Sequence, residues 1–254
     1  MPDTTVTPLL SVQGLHVRVG DREVLRGIDL QIGADETHVL LGPNGSGKTT
    51  LLNTILGMPG YEVLAGSITF KGVDLLPLAI DERARLGIGI AFQRPPAVRG
   101  VRLRQAMEVA SGGRLDEAGL GAISSELELD YMLDRDVNMG FSGGEAKRSE
   151  MGQLLAQQPA LALFDEPESG VDLDNIAVVG GVIQRLLKGA QANDPRRAGL
   201  IITHTGHILQ YVNADVGHVL YEGRIACGGN PLDLIADIGH QGYEKCVECA
   251  ACRL

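Results

Sequence analysis

The run Gly42-Pro43-Asn44-Gly45-Ser46-Gly47-Lys48-Thr49-Thr50 constrains this chain more than any other stretch. It fills the pattern G-x-x-x-x-G-K-[ST], and its flanks fit as well. Thr37 to Leu41 leads in as an apolar, β-branched strand, and Leu51-Leu52-Asn53-Thr54-Ile55-Leu56 leads out as a helix. A glycine-rich turn between strand and helix points backbone N–H groups at an anion and adds the positive end of the helix dipole. Lys48 is the residue type that reaches the β- and γ-phosphates, and the Thr49 hydroxyl the type that ligates Mg2+. A bound nucleotide is therefore expected.

Composition narrows the partners. The formal net charge of −10 and the absence of Trp argue against a nucleic-acid partner, which needs clustered Lys and Arg to neutralise phosphates. Met1 to Pro8 lacks the basic start and apolar centre of a signal peptide, and the longest nearly apolar stretch, Ala177 to Ile183, is far too short to cross a bilayer. These features predict a cytoplasmic protein with no direct membrane insertion. Four cysteines in that compartment read as thiols or metal ligands rather than disulfides.

Along the chain, Leu15 to Val19, Glu23 to Leu25 and Ile28 to Ile32 alternate apolar and polar residues in three pieces, parted by Gly20-Asp21 and Gly27. That pattern predicts an antiparallel meander, joined by Ser67 to Lys71. Asp81 to Leu86 reads as a short helix closed by Gly87, and Ile88 to Phe92 as a buried strand that releases Gln93 toward a ligand. About 95 to 159 reads as a helical insert. Beyond it strand and helix alternate: Leu161 to Phe164, a helix from Leu173 to Leu187, Gly199 to Thr203, a helix near His207 to Val212, then Val216 to Tyr221. The alternation predicts an α/β fold with a parallel sheet covered by helices.

Two further constellations bear on chemistry. Leu161 to Phe164 ends in Asp165-Glu166, where the first carboxylate suits a magnesium shell and the second suits activation of an attacking water. Ser142-Gly143-Gly144-Glu145 opens a helix expected to run to about Gln158. Such a turn reads either as a second anion-binding corner or as a plain N-cap.

In this order the motifs resemble those of the ABC-type ATPases over nearly the whole chain. Gly42 to Thr50 matches the P-loop (Walker A), Gln93 the Q-loop residue, Phe141 to Glu145 the signature, Leu161 to Glu166 Walker B, Ser169-Gly170-Val171-Asp172 the D-loop, and His204 the switch histidine. The resemblance implies one P-loop ABC ATPase domain over 1–254, with a RecA-like parallel core, an antiparallel β subdomain and a helical signature subdomain. It implies Mg-dependent ATP hydrolysis in which Lys48 and the loop amides hold the phosphates and Thr49, Gln93 and Asp165 shape the metal site. Glu166 would activate water, and His204 would read the γ-phosphate. Two copies would close head to tail, so that each ATP also meets Ser142, Gly143, Gly144 and Glu145, with Asp172 nearby, from the other copy.

A narrower resemblance rests on Gly57 to Val63, Asp81 to Ala84, Ala91 to Pro95, Gly140 to Arg148, Ser169 to Asp174, Val219 to Ile225 and Gly242-Tyr243. These stretches are similar to the SufC-type ATPases of iron–sulfur cluster assembly. Transport ATPases usually carry Leu-Ser-Gly-Gly-Gln, whereas Phe141 and Glu145 occupy the outer positions here. This likeness implies a SufB-like scaffold as partner, with or without a SufD-like subunit; the competing expectation is a membrane-transporter ATPase. The chain departs from the ATPase pattern at Val17-Arg18-Val19-Gly20, where many members carry an aromatic that stacks on adenine. It also ends in Cys246, Cys249 and Cys252 at C-x-x-C-x-x-C spacing, within a tail of about 244 to 254. Those thiolates are candidate ligands for zinc or an iron–sulfur cluster, with Cys227 or His240 as a fourth; the alternative is a frayed end with reduced thiols.

Overall fold

The computed structural model describes residues 7–189 and 195–248. In chain order the elements are β1 (Leu10–Val19), β2 (Arg22–Ile32), β3 (Thr37–Leu41), α1 (Lys48–Leu56), β4 (Tyr61–Phe70) and β5 (Val73–Asp74). Then come α2 (Ile80–Leu86), β6 (Ile88–Ala91), β7 (Val98–Arg102), α3 (Leu103–Ala110), α4 (Glu117–Glu126), β8 (Asp136–Val137) and α5 (Gly143–Gln157). The last third holds β9 (Leu161–Asp165), α6 (Leu173–Lys188), β10 (Ala198–Ile202), β11 (Val216–Tyr221), β12 (Arg224–Gly229) and α7 (Pro231–Glu248).

The central sheet has the order β12-β11-β3-β10-β9-β6, parallel throughout except for the antiparallel β12. Every residue of β3, β9 and β10 is buried, which is what a strand covered on both faces requires. The period of two divides the core. Val39, Leu41, Phe164 and Ile201 enter one apolar cluster with α3, α5 and α6, while Leu40, Leu163, Leu200 and Ile202 enter the other with α1 and the antiparallel sheet. That second sheet runs β2-β1-β4-β5. It corrects the three-piece meander: β2 is one strand, and Gly27, at φ 88°, sits inside it opposite register shifts of β1. The segment expected as a helix near His207 is only a 3-10 turn, His207–Gln210.

The neighbouring strands β3 and β11 of the central sheet bury a histidine pair. His38 Nδ1 and His218 Nε2 share a hydrogen bond of 2.9 Å, and His38 Nε2 lies 3.0 Å from Glu36. Asp215 and Lys188 face the same pocket and pair with each other. Burial pushes the His218 pKa down to about 4, helped by His38, and lowers that of His38 despite Glu36. A histidine whose folded pKa is depressed contributes stability that is present above its ordinary pKa of about 6.5 and lost as pH falls through the folded value. Replacing His218 by Gln is thus expected to raise unfolding free energy relative to wild type by up to about 3 kcal/mol between pH 7 and pH 4, at about 1.4 kcal/mol per unit. Urea titrations across that range check it; parallel curves for the two proteins would refute it.

Candidate active site

Open parallel sheets gather ligands beyond the carboxyl ends of their strands, and one group of the predicted residues meets there. The P-loop follows β3, Asp165 ends β9, the loop carrying His204 follows β10, and Gln93 follows β6. A cavity of about 450 Å³ is lined by Asn44, Gly45, Gly47, Lys48, Thr49, Thr50, Gln93, Glu166 and His204, together with Arg22 and Val24.

The P-loop is wedged tightly. A Cβ on Gly42 would lie 2.3 Å from the Leu220 carbonyl oxygen, and one on Gly47, at φ 113°, 2.7 Å from Leu25 Cδ2. Those two glycines let the loop press against β11 and β2. Lys48 is buried and donates to the carbonyls of Gly42 at 2.7 Å and Pro43 at 2.9 Å. Burial lowers its pKa, which Glu166 and Asp165 partly offset. The Ser46 hydroxyl is buried with no hydrogen-bond partner among the described residues.

Thr49 Oγ1 donates to Asp165 Oδ1 at 3.4 Å. Burial raises the Asp165 pKa, and the neighbouring Glu166 adds to it. Hard oxygen donors beside an electron-rich, buried carboxylate pair suit Mg2+, which keeps waters and takes few protein ligands. Glu166 has φ 48° and its N–H bonds the Ile202 carbonyl at 3.0 Å. Its carboxylate is gripped from two sides, by the Gln93 amide and by His204 Nε2. Gln93, Glu166 and His204, separated widely in sequence, form one contiguous group.

Ser142 and its neighbours are not brought to this cavity. Ser142 caps α5 through a capping box: its hydroxyl accepts from the Glu145 N–H at 3.3 Å, and the Glu145 carboxylate accepts from the Ser142 N–H at 2.6 Å and from Tyr131 at 2.8 Å. The Ser142 N–H lowers the Glu145 pKa. Both Ser142 and Gly143 are exposed. Asp172 caps α6 by accepting from the Asn175 N–H at 2.9 Å. A Cβ on Gly143 would lie 2.8 Å from the Gly170 carbonyl, so signature and D-loop abut within one chain, apart from its own P-loop. Of the cysteine tail, Cys246 is buried in the apolar cluster under α7, where Cys227 is buried too, and Cys249 and Cys252 lie outside the described residues. Among the described residues no three ligating side chains gather as a metal site.

Sequence reasoning missed the supports of the site. Glu150 of α5 accepts the Phe92 N–H at 2.8 Å, and Lys147 donates to the Phe92 carbonyl, so the signature helix holds the backbone next to Gln93. Burial raises the Glu150 pKa to about 7. Glu168 accepts from the Thr203 and Thr205 hydroxyls, tying the Asp165-Glu166 loop to the strand end before His204. The available signal was charge on the buried side of a helix, which must be paired there.

The ABC transporter family model matches residues 25–169. "Probable ATP-dependent transporter SufC" of Escherichia coli (strain K12) is 39% identical over 248 residues, covering 92% of this chain and 97% of the relative. "Probable ATP-dependent transporter ycf16" of Cyanophora paradoxa is 35% identical, with 95% of each chain covered. A solved ATP-binding cassette of an ABC transporter in its ADP conformation superposes with a TM-score of 0.71 at 23% identity, over 94% of this chain and 98% of that one.

Proposed function

Because the chain belongs to the ABC transporter family of ATP-hydrolysing cassettes, we propose that its ATPase cycle drives conformational change in a SufB-like scaffold, alone or with a SufD-like subunit, during iron–sulfur cluster assembly. The observation that carries this reading is the set of SufC-like stretches running from Gly57 to Tyr243, in a chain that matches a relative bearing the SufC name along 97% of that relative's length. No helix among the described residues is long and apolar enough to cross a membrane.

In this mechanism Lys48 and the P-loop amides bind the phosphates of ATP. Thr49, Gln93 and Asp165 would hold Mg2+, which supplies charge neutralisation to the β- and γ-phosphates when bound. Glu166 takes the proton of the attacking water, and Gln93 and His204 aim its carboxylate. His204 also reports the γ-phosphate to the loop that Glu168 anchors. Products are ADP and phosphate. An apolar cleft of about 340 Å³ lined in part by Leu56, Ile80, Ile90, Phe92, Pro96 and Val98 adjoins the Gln93 loop. A scaffold segment seated there would be mechanically linked to the site through Phe92, which Glu150 and Lys147 clamp.

The names of these two relatives, each a "Probable ATP-dependent transporter", favour a second reading, in which this cassette powers a separate membrane permease. Anaerobic co-purification with the tagged protein from its native source, followed by mass spectrometry, decides between them. A non-membrane scaffold in near-equal amount is the expected result; a polytopic membrane protein in its place would refute it.

A further inference from the structure

We propose that Arg22 holds the nucleotide base, with its guanidinium stacked over the ring beside Val24. This rests on the placing of the triphosphate proposed above. The site cavity has two parts. Gln93, Glu166 and His204 contact one another in one part of it, whereas Arg22 and Val24 also line the adjoining cavity with Asn44, Gly45 and Tyr221, which those three do not reach. A triphosphate is directional: hydrolysis requires the γ-phosphate beside Glu166, so the nucleoside leaves the P-loop on the side of Arg22 and Val24.

No Phe, Tyr or Trp side chain lines the site cavity. Val24 is half-buried against the P-loop, 3.4 Å from where a Cβ of Gly47 would stand, and offers a fixed apolar floor. Arg22 opens β2, is exposed, and makes no ion pair with any described residue. The adjacent acid is engaged elsewhere, since Glu23 lies 2.7 Å from His16 Nδ1. A guanidinium is planar, weakly hydrated and able to stack on a π face, so it substitutes for an aromatic platform where Lys cannot. Stacking of this kind tolerates any base, so ATP and GTP are bound alike.

The test compares ATP, GTP and inorganic triphosphate on wild type, Arg22→Ala, Arg22→Lys and Arg22→Tyr. Arg22→Ala is expected to raise KM for ATP and for GTP about tenfold, with the loss falling on KM rather than kcat and inorganic triphosphate bound as in wild type. Arg22→Lys is expected to behave as Arg22→Ala, because charge without a plane does not stack, and Arg22→Tyr to keep the wild-type KM. Equal weakening of ATP and inorganic triphosphate, rescued by Lys, would make Arg22 a phosphate contact and overturn the proposal. An ATP-specific loss in Tyr221→Ala with none in Arg22→Ala would overturn it too, moving the base to the adjoining cavity that Tyr221 lines. Failure of the triphosphate placing itself shows separately, as inorganic triphosphate that does not compete with ATP on wild type.

Discussion

Replacing Glu166 by Gln is expected to slow ATP turnover about 10³-fold while leaving ATP binding intact. Gln has the shape of Glu and can still meet Gln93 and His204, but its amide cannot take a proton from water. The substitution also leaves the local backbone cost unchanged, because both side chains branch alike from a residue held at φ 48°. Thermal stability should therefore match wild type, which separates chemistry from folding. Phosphate release under saturating ATP and equilibrium binding of ATP check the two halves. Near-normal turnover would remove Glu166 as the base and turn attention to Glu168, the other carboxylate in the same loop.

The site was legible in sequence where chemistry fixes local spacing. Gly42 to Thr50 announces its strand and helix because only glycines permit the close approach to Leu220 and Leu25. Asp165-Glu166 was legible because two carboxylates ending an apolar strand need a reason. Gly27 misled because a glycine between alternating pieces reads as a turn, whereas here a bulge absorbs it without ending β2. β12 and α7 were missed for a related reason: β12 is short and ends in two glycines, and Gly242 at φ 79° breaks the helical pattern of α7. The clamp on Phe92 leaves no local pattern, since Lys147 and Glu150 find it across 50 or more positions of chain. Arg22 escaped notice because, without the cavity, it is one more exposed charge.

The separation of Ser142 from the P-loop within one chain leads to the second large effect. The cavity gathers Lys48, Gln93, Glu166 and His204, and the exposed turn at Ser142-Gly143 does not line it. The exposed start of α5, where Glu145 caps only the Ser142 N–H, leaves further N–H groups and the positive dipole end for an anion brought by another chain. If two copies close head to tail, Lys48→Ala destroys only the P-loop side of a composite site, and Ser142→Arg only the signature side. Each variant alone is expected to lose at least about 10²-fold in turnover, the scale of removing a positioned group from the transition state. Mixed in equal amounts, half of the dimers pair the two variants, and each such dimer has one site in which both sides are intact. Independent sites then recover about a quarter of wild-type activity. Titrating one variant with the other and following phosphate release reads this directly. Activity that remains at the level of the separate variants at every ratio would show that both sides of the site come from one chain, and the dimer reading would fall.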